Sequence, residues 1–570
     1  AVAWGIGMGM PALLLMLLHL LHLPWPGWMT WVYLGAAALA LAWVQVRRSV
    51  PAEHTPLAPS RLFAYAMLLG LAVLALLARL FSVHDLVVGP NVDSYHHSLI
   101  ATLLVERQGL FSDWAPYAPL VTFTYHYAFH ALVAWAFHLS GIPIVLLVPL
   151  VGQVMNAAMV PMLFALTSVM TRRPIAGVWA ALLVGFVNLQ PAFYVFWGRG
   201  PFVASHSLLV ALLICWMAAI EAPRMRPGLL ALAAIGSAAL AHAHYQTTIL
   251  AAIFLFSYLL LMVLRAPNVR SARAVVERAA LIGTVALVLA LPWMWNTFSG
   301  HLARNVVYNS DNQSGATFAG LPVAPLIPFG VNAAVMALAV LGFLLAVRLR
   351  LWRVALLGSW ALLSAVIAYP YVVGLPGTGI IEPSLVAMVL YLTLVPLAGF
   401  TLGSFQSALE YVALRWRFGV WAVRATAAVI AILVSVGGLA WQRELVPPYD
   451  RMVTSADLHA IEWIRATTRP EARFLVGSHP IYNGLMVAGT DAGWWLPLLA
   501  GRQTNVPPLT YGSERMAEPN GAQRISDVVA TLRRAPLADT SAHEIDLSSS
   551  RSQQVLREED IRYVYIGSQS

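Results

Sequence analysis

The residues best suited to chemistry lie in one short segment, NVDSYHHSL, at positions 91–99. Asp93, His96 and His97 are spaced i, i+3 and i+4, so on a helix they share one face. A carboxylate beside two imidazoles can bind a divalent metal ion or act as an acid–base pair. The same spacing also fits a polar loop helix whose histidines only form hydrogen bonds, and the spacing alone leaves both interpretations open.

Other candidate residues lie at the ends of apolar segments. Arg199 stands between two glycines in WGRGP, where exposed backbone and a guanidinium suit a phosphate oxyanion; it could equally contact lipid headgroups. Glu382 precedes an apolar run and is either a helix N-terminal cap or a carboxylate facing Asp93. Arg304 is a second cation that could supplement Arg199 in contacting a phosphate. Histidines that could line a site or hold a metal, or simply anchor at the membrane interface, are His206, His242 and His244.

The composition requires elements of a particular kind to position these residues. Of 570 residues, 59% are hydrophobic and 10% charged, whereas soluble proteins carry roughly 25% charged residues. These proportions exclude a soluble enzyme and a disordered chain, and the single cysteine, Cys215, excludes a disulfide-stapled fold. All 34 basic residues are arginine, which excludes lysine-based catalysis. The sequence therefore predicts an α-helical polytopic membrane protein.

Thirteen segments are long and apolar enough to cross a bilayer, which takes about 20 residues. We place these spans at residues 5–23, 28–46, 62–79, 148–170, 175–192, 205–221, 228–242, 246–264, 279–297, 326–346, 354–372, 384–405 and 419–440. Seventeen arginines then fall on one side of the membrane domain and four on the other. The positive-inside rule makes the arginine-rich side cytoplasmic. We expect a multi-pass protein of the plasma membrane with a cytoplasmic N-terminus and an extracytoplasmic C-terminal domain.

A composition change near Gln442 separates the membrane domain from a soluble one. Residues 1–440 hold 21 Arg and 10 acidic residues, whereas residues 441–570 hold 13 Arg and 15 acidic residues with no spanning segment. Residues 441–570 are predicted to be an α/β domain, with helices at 456–467 and 525–534 and strands at 474–477 and 561–566. The remaining chain divides into a membrane domain, 62–440, and an additional N-terminal transmembrane hairpin with its cytoplasmic loop, 1–61.

The first outer loop is predicted to be long, covering residues 80–147. Within it, residues 123–139 (FTYHYAFHALVAWAFHL) are apolar enough to resemble a span. A span there would invert every later arginine cluster, so we expect an interfacial helix with His126, His130 and His138 turned toward water.

This arrangement resembles the GT-C superfamily of polytopic glycosyltransferases, most closely the catalytic subunit of oligosaccharyltransferases. GT-C proteins carry an early catalytic aspartate in a long first outer loop, and Asp93 in NVDSYHH occupies that place, with GLFSDWAPYAPLVTFTYHYAFH continuing the loop. The matching second outer loop is YVFWGRGPFVASHS, which contains Arg199 and His206 but no acidic residue. GTGIIEP puts Glu382 at the position of the family's Thr-Ile-x-Glu motif.

The C-terminal domain carries the resemblance further, which covers roughly residues 62–570. A helix and strand in ADLHAIEWIRATTRPEARFLV precede TDAGWWLPLLAGRQTNVPP, where Trp494 and Trp495 stand in place of the family's Trp-Trp-Asp-Tyr-Gly motif. Leu-Pro follows the tryptophan pair in this chain, so the resemblance implies an acceptor other than a glycosylation sequon.

The resemblance implies an inverting transfer of a hexosyl or pentosyl group from a polyprenyl-phosphate donor to an extracytoplasmic protein or glycan. The expected partners of the protein are this donor, the acceptor and the lipid bilayer, with no nucleic acid. Asp93 would be the base, with Glu382 a second catalytic carboxylate. Arg199 and Arg304 would bind the phosphate. Aromatic residues expected at the sugar are Tyr245, Trp197, Trp295, Trp494 and Trp495. A divalent metal (Mg, Mn or Zn) would be held by His96, His97, His206, His242 and His244.

Two alternatives to an enzyme remain open from the sequence. A catalytically silent membrane subunit would anchor a partner through the C-terminal domain. An anion transporter would need ionisable or broken spans at the membrane midplane, and the predicted spans have almost no charge.

Overall fold

The computed structural model describes residues 1–47, 58–299, 332–368, 370, 383–416, 419–482, 484–537, 539 and 545–567. Arg304 and Glu382 lie outside these residues. The helices up to residue 442 are α1 Val2–Leu20, α2 Trp28–Arg47, α3 Pro59–Phe81, α4 Asn91–Glu106, α5 Ala128–Ser140, α6 Ile144–Thr171, α7 Pro174–Leu182, α8 Gly200–Ile220, α9 Pro227–Ala243, α10 Tyr245–Leu264, α11 Val269–Ser299, α12 Ala333–Arg348, α13 Trp352–Ala368, α14 Pro383–Val389, α15 Tyr391–Arg415 and α16 Val420–Gln442.

Every one of the thirteen predicted spans overlaps a helix. Within the described part of the chain, nine helices are long and apolar enough to cross a membrane. Four further predicted spans correspond to shorter apolar helices, α7 with its π-helical extension Leu183–Val187, α9, α12 and α13. The prediction of a helical polytopic membrane protein is therefore confirmed.

The arginine clusters meet at one end of the bundle. Arg353 forms an ion pair with Glu221, and Nη1 of Arg278 donates to the carbonyls of Ile220 and Ala222, both at 2.7 Å. The guanidinium of Arg265 lies over Trp352, the first residue of α13. We call the opposite end of the bundle, which carries residues 82–143, the site face.

The helix α1 is an integral part of the bundle. Gly5 and Gly9 lie against Ala211 of α8 and Ala239 of α9, where added Cβ atoms would collide. Small residues permit such close helix approach in membrane proteins. By contrast, almost all of α2 is exposed on the surface of the molecule.

The helix α5 lies at the site face and, at 13 residues, is shorter than a spanning helix requires. Gly141, with φ +69°, ends it in the left-handed conformation that terminates many helices. The expectation that its histidines face water is wrong for His126 and His130, which are buried. Only His138 is half-exposed. The physical reason is that other histidines and aromatic rings of the site face cover them.

The C-terminal region contains two small sheets beside short helices. Its elements are α17 Ser455–Thr467, β1 Arg473–Leu475, β2 Ser478–Ile481, β3 Met486–Gly489, α18 Leu496–Ala500, β4 Gln503–Thr504, α19 Gly521–Arg533, α20 Ser550–Glu558 and β5 Ile561–Val564. Parallel strands run in the order β4-β1-β5, and β2 and β3 form an antiparallel hairpin. The helix α17 begins at a capping box in which Thr454 and Asp457 bond each other's backbone. The four predicted elements of this region are present, and the β2–β3 hairpin was not predicted.

Candidate active site

Asp93 is placed by the first turn of α4. Pro90 has an extended backbone (φ −73°, ψ 162°) just before the helix, which begins at Asn91. A carboxylate in the first turn is stabilised by the positive end of the helix dipole. Most residues from Ser94 to Leu104 are buried, whereas Asp93 keeps 29% of its side-chain surface exposed. Asp93 is thus an accessible carboxylate on a largely buried helix.

Arg199 reaches Asp93 because the connection before α8 packs directly against α4. Gly198 has φ +69°, and a Cβ there would collide with Oγ of Ser94 and lie 2.9 Å from its backbone N. Glycine satisfies both the backbone angle and the close approach. Nε of Arg199 then lies 3.9 Å from Oδ2 of Asp93. The structure brings together the carboxylate and the cation that the sequence singled out.

The guanidinium of Arg199 has donors to spare. It lies 5.0 Å from the ring centre of Trp197, and Nη1 donates to Sδ of Met388, a weak acceptor, at 3.0 Å. The 3.9 Å separation from Asp93 exceeds the length of a charge-assisted hydrogen bond, roughly 2.7–2.9 Å. Against the described residues, Arg199 therefore uses little of its capacity to bind a strong oxyanion acceptor.

A cluster of five histidines lies beside Asp93. We call it the histidine cluster, and its members are His96, His97, His126, His130 and His244. Nδ1 of His97 lies 3.0 Å from Nε2 of His130, so one ring donates to the other. The ring of Tyr125 stacks on His126 at 4.1 Å and lies 5.6 Å from His96, joining the two halves of the cluster.

The histidine cluster is neutral near physiological pH and rich in unpaired nitrogens. Burial lowers the pKa of His96, His97 and His126; neighbouring imidazoles lower it further for His97 and His126, while Asp93 opposes the shift at His96. Five buried ring nitrogens of the cluster have no hydrogen-bond partner among the described residues. They are Nδ1 and Nε2 of His96, Nε2 of His126, Nδ1 of His130 and Nδ1 of His244. Buried polar atoms without partners are costly, so their accumulation beside one carboxylate makes this cluster part of the candidate site.

Two of the predicted metal-binding histidines lie apart from this cluster. Nδ1 of His206 is 2.8 Å from the hydroxyl of Tyr391, and the ring of Phe202 stands between His206 and His244. Nδ1 of His242 is 2.8 Å from a backbone carbonyl of its own helix, α9. The described part of the chain contains no group of three His, Cys, Asp or Glu side chains able to hold a metal ion. The five histidines predicted as metal ligands therefore do not form a site together in this structure, because two of them are bonded elsewhere.

The aromatic residues predicted to contact a sugar have different fates. Trp197 lies beside the guanidinium of Arg199. The hydroxyl of Tyr245 donates to the carbonyl of Thr124, so it holds the outer loop while its ring meets His126. The side chain of Trp295 is 71% exposed. Trp293, two residues earlier, faces inward and donates to the hydroxyl of Tyr245 at 3.1 Å.

Trp494 and Trp495 connect the C-terminal region to α4. Both are completely buried, and the ring of Tyr95 lies 5.1 Å from Trp494 and 5.2 Å from Trp495. Nε1 of Trp494 donates to the carbonyls of Val506 and Pro507. The tryptophan pair thus packs against the residue two positions after Asp93, and its predicted contact with a sugar stays a prediction.

Glu514 contributes to the site face, and sequence reasoning missed it. It is a single acid in TYGSERM, and its side chain accepts hydrogen bonds from Thr124 and Tyr125 of the outer loop. Nothing in its local pattern links it to residues about 390 positions earlier. His126 and His130 were misplaced for another reason, since nothing in their own segment indicates that His97 and His244 pack against them.

Two larger cavities lie away from Asp93. One, of about 330 Å³, lies between residues 115–119 and the C-terminal region, and its charges are paired, with Glu559 bound to both Arg473 and Arg524. The other, of about 610 Å³, is an apolar groove between α15 and α16 whose lining includes Gln406 and residues toward the arginine-rich end.

Residues 1–371 match the model of the "Family of unknown function (DUF6541)". The chain belongs to the DUF6541 family. The match includes Asp93, Arg199 and all of the histidine cluster, so the candidate site lies within the part that defines the family. No curated protein matches this DUF6541 chain.

Solved structures show what the fold is similar to. The archaeal oligosaccharyltransferase AglB from Archaeoglobus fulgidus, in complex with an inhibitory peptide and a dolichol-phosphate, has a TM-score of 0.59 at 12% identity, over 88% of this chain and 69% of that chain. ArnT from Cupriavidus metallidurans bound to undecaprenyl phosphate has a TM-score of 0.48 at 14% identity, over 74% and 83%. The TM-score with AglB, a GT-C glycosyltransferase, confirms the GT-C-like fold predicted for this DUF6541 protein.

Proposed function

We propose that this protein is an inverting glycosyltransferase that moves a sugar from a polyprenyl-phosphate donor to an acceptor on the site face. The observation that carries the proposal is the pairing of Asp93 with Arg199 on a GT-C-like fold. AglB, which shares that fold, was solved with a dolichol-phosphate. A carboxylate and an under-used guanidinium 3.9 Å apart supply the two charges that such a transfer needs.

Asp93 acts as the base. In the transfer, the acceptor oxygen forms a bond to the anomeric carbon as the bond from that carbon to the phosphate oxygen breaks. The proton of the acceptor hydroxyl passes to Asp93, and the leaving phosphate keeps the bonding electron pair. Asp93 is suited to this step because its side chain is partly exposed beside rings that are otherwise buried.

Arg199 binds the leaving phosphate. Charge develops on the phosphate oxygens in the transition state, and a preorganised cation lowers the energy of that state more than that of the bound donor. The collision that a Cβ at Gly198 would make with Ser94 supports this role, because it indicates that the backbone next to Arg199 packs closely on α4. Exchanging Asp93 and Met388 for phosphate oxygens would give Arg199 the bidentate acceptor that it lacks.

The membrane orientation follows the same proposal. The arginine-rich end would lie in the cytoplasm of a plasma membrane, so the site face and the C-terminal region would be extracytoplasmic. The acceptor, a protein or glycan, would approach from that side.

The test is mass spectrometry of the lipids that co-purify with wild type, Asp93→Asn and Asp113→Asn. Asp113 is the matched control, since it lies in the same loop with a 63% exposed side chain. We expect a polyprenyl phosphate or its glycosylated form in all three, with the glycosylated form accumulating in Asp93→Asn alone. If only bulk phospholipid is found in every sample, the proposal fails and a silent membrane subunit becomes the better interpretation.

A further inference from the structure

The C-terminal region is joined to the outer loop by a short antiparallel contact. The backbone N–H of Val121 donates to the carbonyl of Arg515, and that of Ala517 donates to Pro119, both at 2.9 Å. Leu120 and Met516 form an isolated antiparallel bridge between them. We call residues 119–125 and 514–517 together the clamp.

The side chain of Glu514 is the most highly bonded part of the clamp. Its Oε1 accepts the backbone N–H of Thr124 at 2.6 Å, the backbone N–H of Tyr125 at 3.1 Å and the hydroxyl of Thr124 at 3.1 Å. Its Oε2 accepts the hydroxyl of Thr122 at 2.7 Å. One side chain from the C-terminal region thus binds the outer loop at Thr122, Thr124 and Tyr125.

A carboxyl group is an expensive choice at this position. Glu514 is 1% exposed, and burial raises its pKa to about 7 although four hydrogen bonds to the outer loop oppose the shift. An apolar side chain would avoid that cost but would leave the N–H groups of Thr124 and Tyr125 without an acceptor. The cost of burying this carboxyl is therefore explained if the hydrogen bonds of Glu514 are needed to hold residues 122–125 in place.

The residues that Glu514 fixes lead directly into the candidate site. Tyr125 lies between His96 and His126, and His126 follows it in the chain. From the membrane domain, Tyr245 donates to the carbonyl of Thr124, so this residue is held from both sides. Loss of the Glu514 contacts would free the segment on the side of the C-terminal region only.

We infer that Glu514 is a positioning residue, through which the C-terminal region holds Tyr125 between His96 and His126 in the histidine cluster beside Asp93. The inference rests on the proposed function, because the positioned residues border its base. The role of Glu514 is to set the shape of the site; its carboxyl takes no part in the transfer itself.

The experiment compares Glu514→Ala, Glu514→Gln and Glu518→Ala with wild type as the full-length chain in detergent. Glu518 is the control, since it lies four residues on with a 67% exposed side chain. Hydrogen exchange is followed in a peptide covering residues 119–127, and sugar transfer is measured as kcat and KM for the lipid donor.

We expect Glu514→Ala to speed exchange at Thr124 and Tyr125 and to lower kcat by about tenfold or more, with KM for the donor changed less than about twofold. Glu514→Gln should restore both, since its amide oxygen accepts the same N–H groups. The inference would be overturned if the amides of Thr124 and Tyr125 exchanged in Glu514→Ala at the wild-type rate. It would also be overturned if they exchanged faster while kcat stayed unchanged. Thr122→Ser and Thr122→Val serve as a milder pair if Glu514→Ala fails to fold, with the valine variant alone expected to speed exchange.

Failure of the proposed function gives a different pattern. If wild type neither transfers sugar nor retains a polyprenyl phosphate, the glycosyltransferase proposal fails whatever the exchange data show. If wild type transfers sugar but Glu514→Ala does so equally well, the positioning role alone fails.

Discussion

The contact between Gly198 and Ser94 gives a sharp test of how Arg199 is placed. In Gly198→Ala the new Cβ meets Oγ of Ser94 and lies 2.9 Å from its backbone N, at a backbone φ of +69°. We expect the loop to move away from α4 and to carry Arg199 away from Asp93. Gly141→Ala is a matched control, because Gly141 also has φ +69° but no atom lies within 4 Å of its added Cβ.

The two variants separate backbone strain from collision. Placing alanine in the left-handed region costs about 1–2 kcal/mol, and this is the whole effect expected for Gly141→Ala. Overpacking at Gly198 adds about 1–3 kcal/mol. Ser94→Ala combined with Gly198→Ala should recover part of that second amount, because it removes the Oγ atom and leaves the backbone contact.

The assay is thermal unfolding of the purified variants together with the polyprenyl phosphate that each retains. We expect the unfolding temperature to be highest for wild type, lower for Gly141→Ala and lowest for Gly198→Ala. The amount of retained polyprenyl phosphate should be reduced in Gly198→Ala only. Equal unfolding temperatures for the two alanine variants would refute the packing argument. Retained donor in a destabilised Gly198→Ala would refute the link between this packing and phosphate binding.

Two further predictions concern buried polar groups. Arg79 is 1% exposed and donates hydrogen bonds to neutral oxygens of Asn156, Gln442 and Gly185. Arg79→Lys should lower the unfolding temperature more than Arg79→Met, because lysine keeps a buried charge but forms fewer hydrogen bonds. A larger decrease for Arg79→Met than for Arg79→Lys would contradict this. Burial lowers the pKa of His126, so the contribution of this residue to the free energy of unfolding is complete above about pH 6.5 and falls by about 1.4 kcal/mol per pH unit below that pH. The free energy of unfolding of His126→Phe should therefore decrease less on acidification than that of wild type. An equal decrease in both proteins would exclude His126 as a cause.

The sequence predicts the membrane helices well because the signal for a span is local. About 20 apolar residues are needed wherever a helix crosses lipid, and the arginine clusters fix which loops share a side. Residues 123–139 tested this reasoning most strongly. The 13 residues of α5 agree with a helix too short to cross the bilayer, but most of the helix from Ala128 to Trp135 is buried and does not lie on the surface. Their histidines were nevertheless assigned to water, since periodicity on one helix does not reveal what covers it.

The pairing of Asp93 with Arg199 lay partly within reach of the sequence. Each residue could be recognised by its type and its loop, and the GT-C resemblance put both loops at one membrane face. The 3.9 Å distance between them depends on Gly198 packing against Ser94, two residues about 100 positions apart. Such a contact requires knowledge of how the loops dock, which the local pattern of neither loop contains.

The aromatic predictions show a second limit of local reasoning. Trp293 and Trp295 lie two positions apart on α11, so one faces the site when the other faces away. The hydropathy of a helix that is apolar all round does not choose between them. Trp494 and Trp495 were placed by resemblance to a substrate-binding motif, whereas their complete burial against Tyr95 gives them a docking role.

The C-terminal region contacts the membrane domain on both segments that border Asp93. Trp494 and Trp495 pack on Tyr95 of α4, and Glu514 holds residues 122–125. Leu496 and Pro497 follow the tryptophan pair, where the resemblance to oligosaccharyltransferases predicts a sequon-binding sequence, so this chain differs at that position while the pair itself packs on Tyr95. Under the proposed function, we therefore expect a change in the C-terminal region to alter which acceptor reaches Asp93 while the membrane domain binds the same lipid-linked donor. Acceptor choice in this protein should accordingly follow the C-terminal region, and donor choice the loops around Arg199.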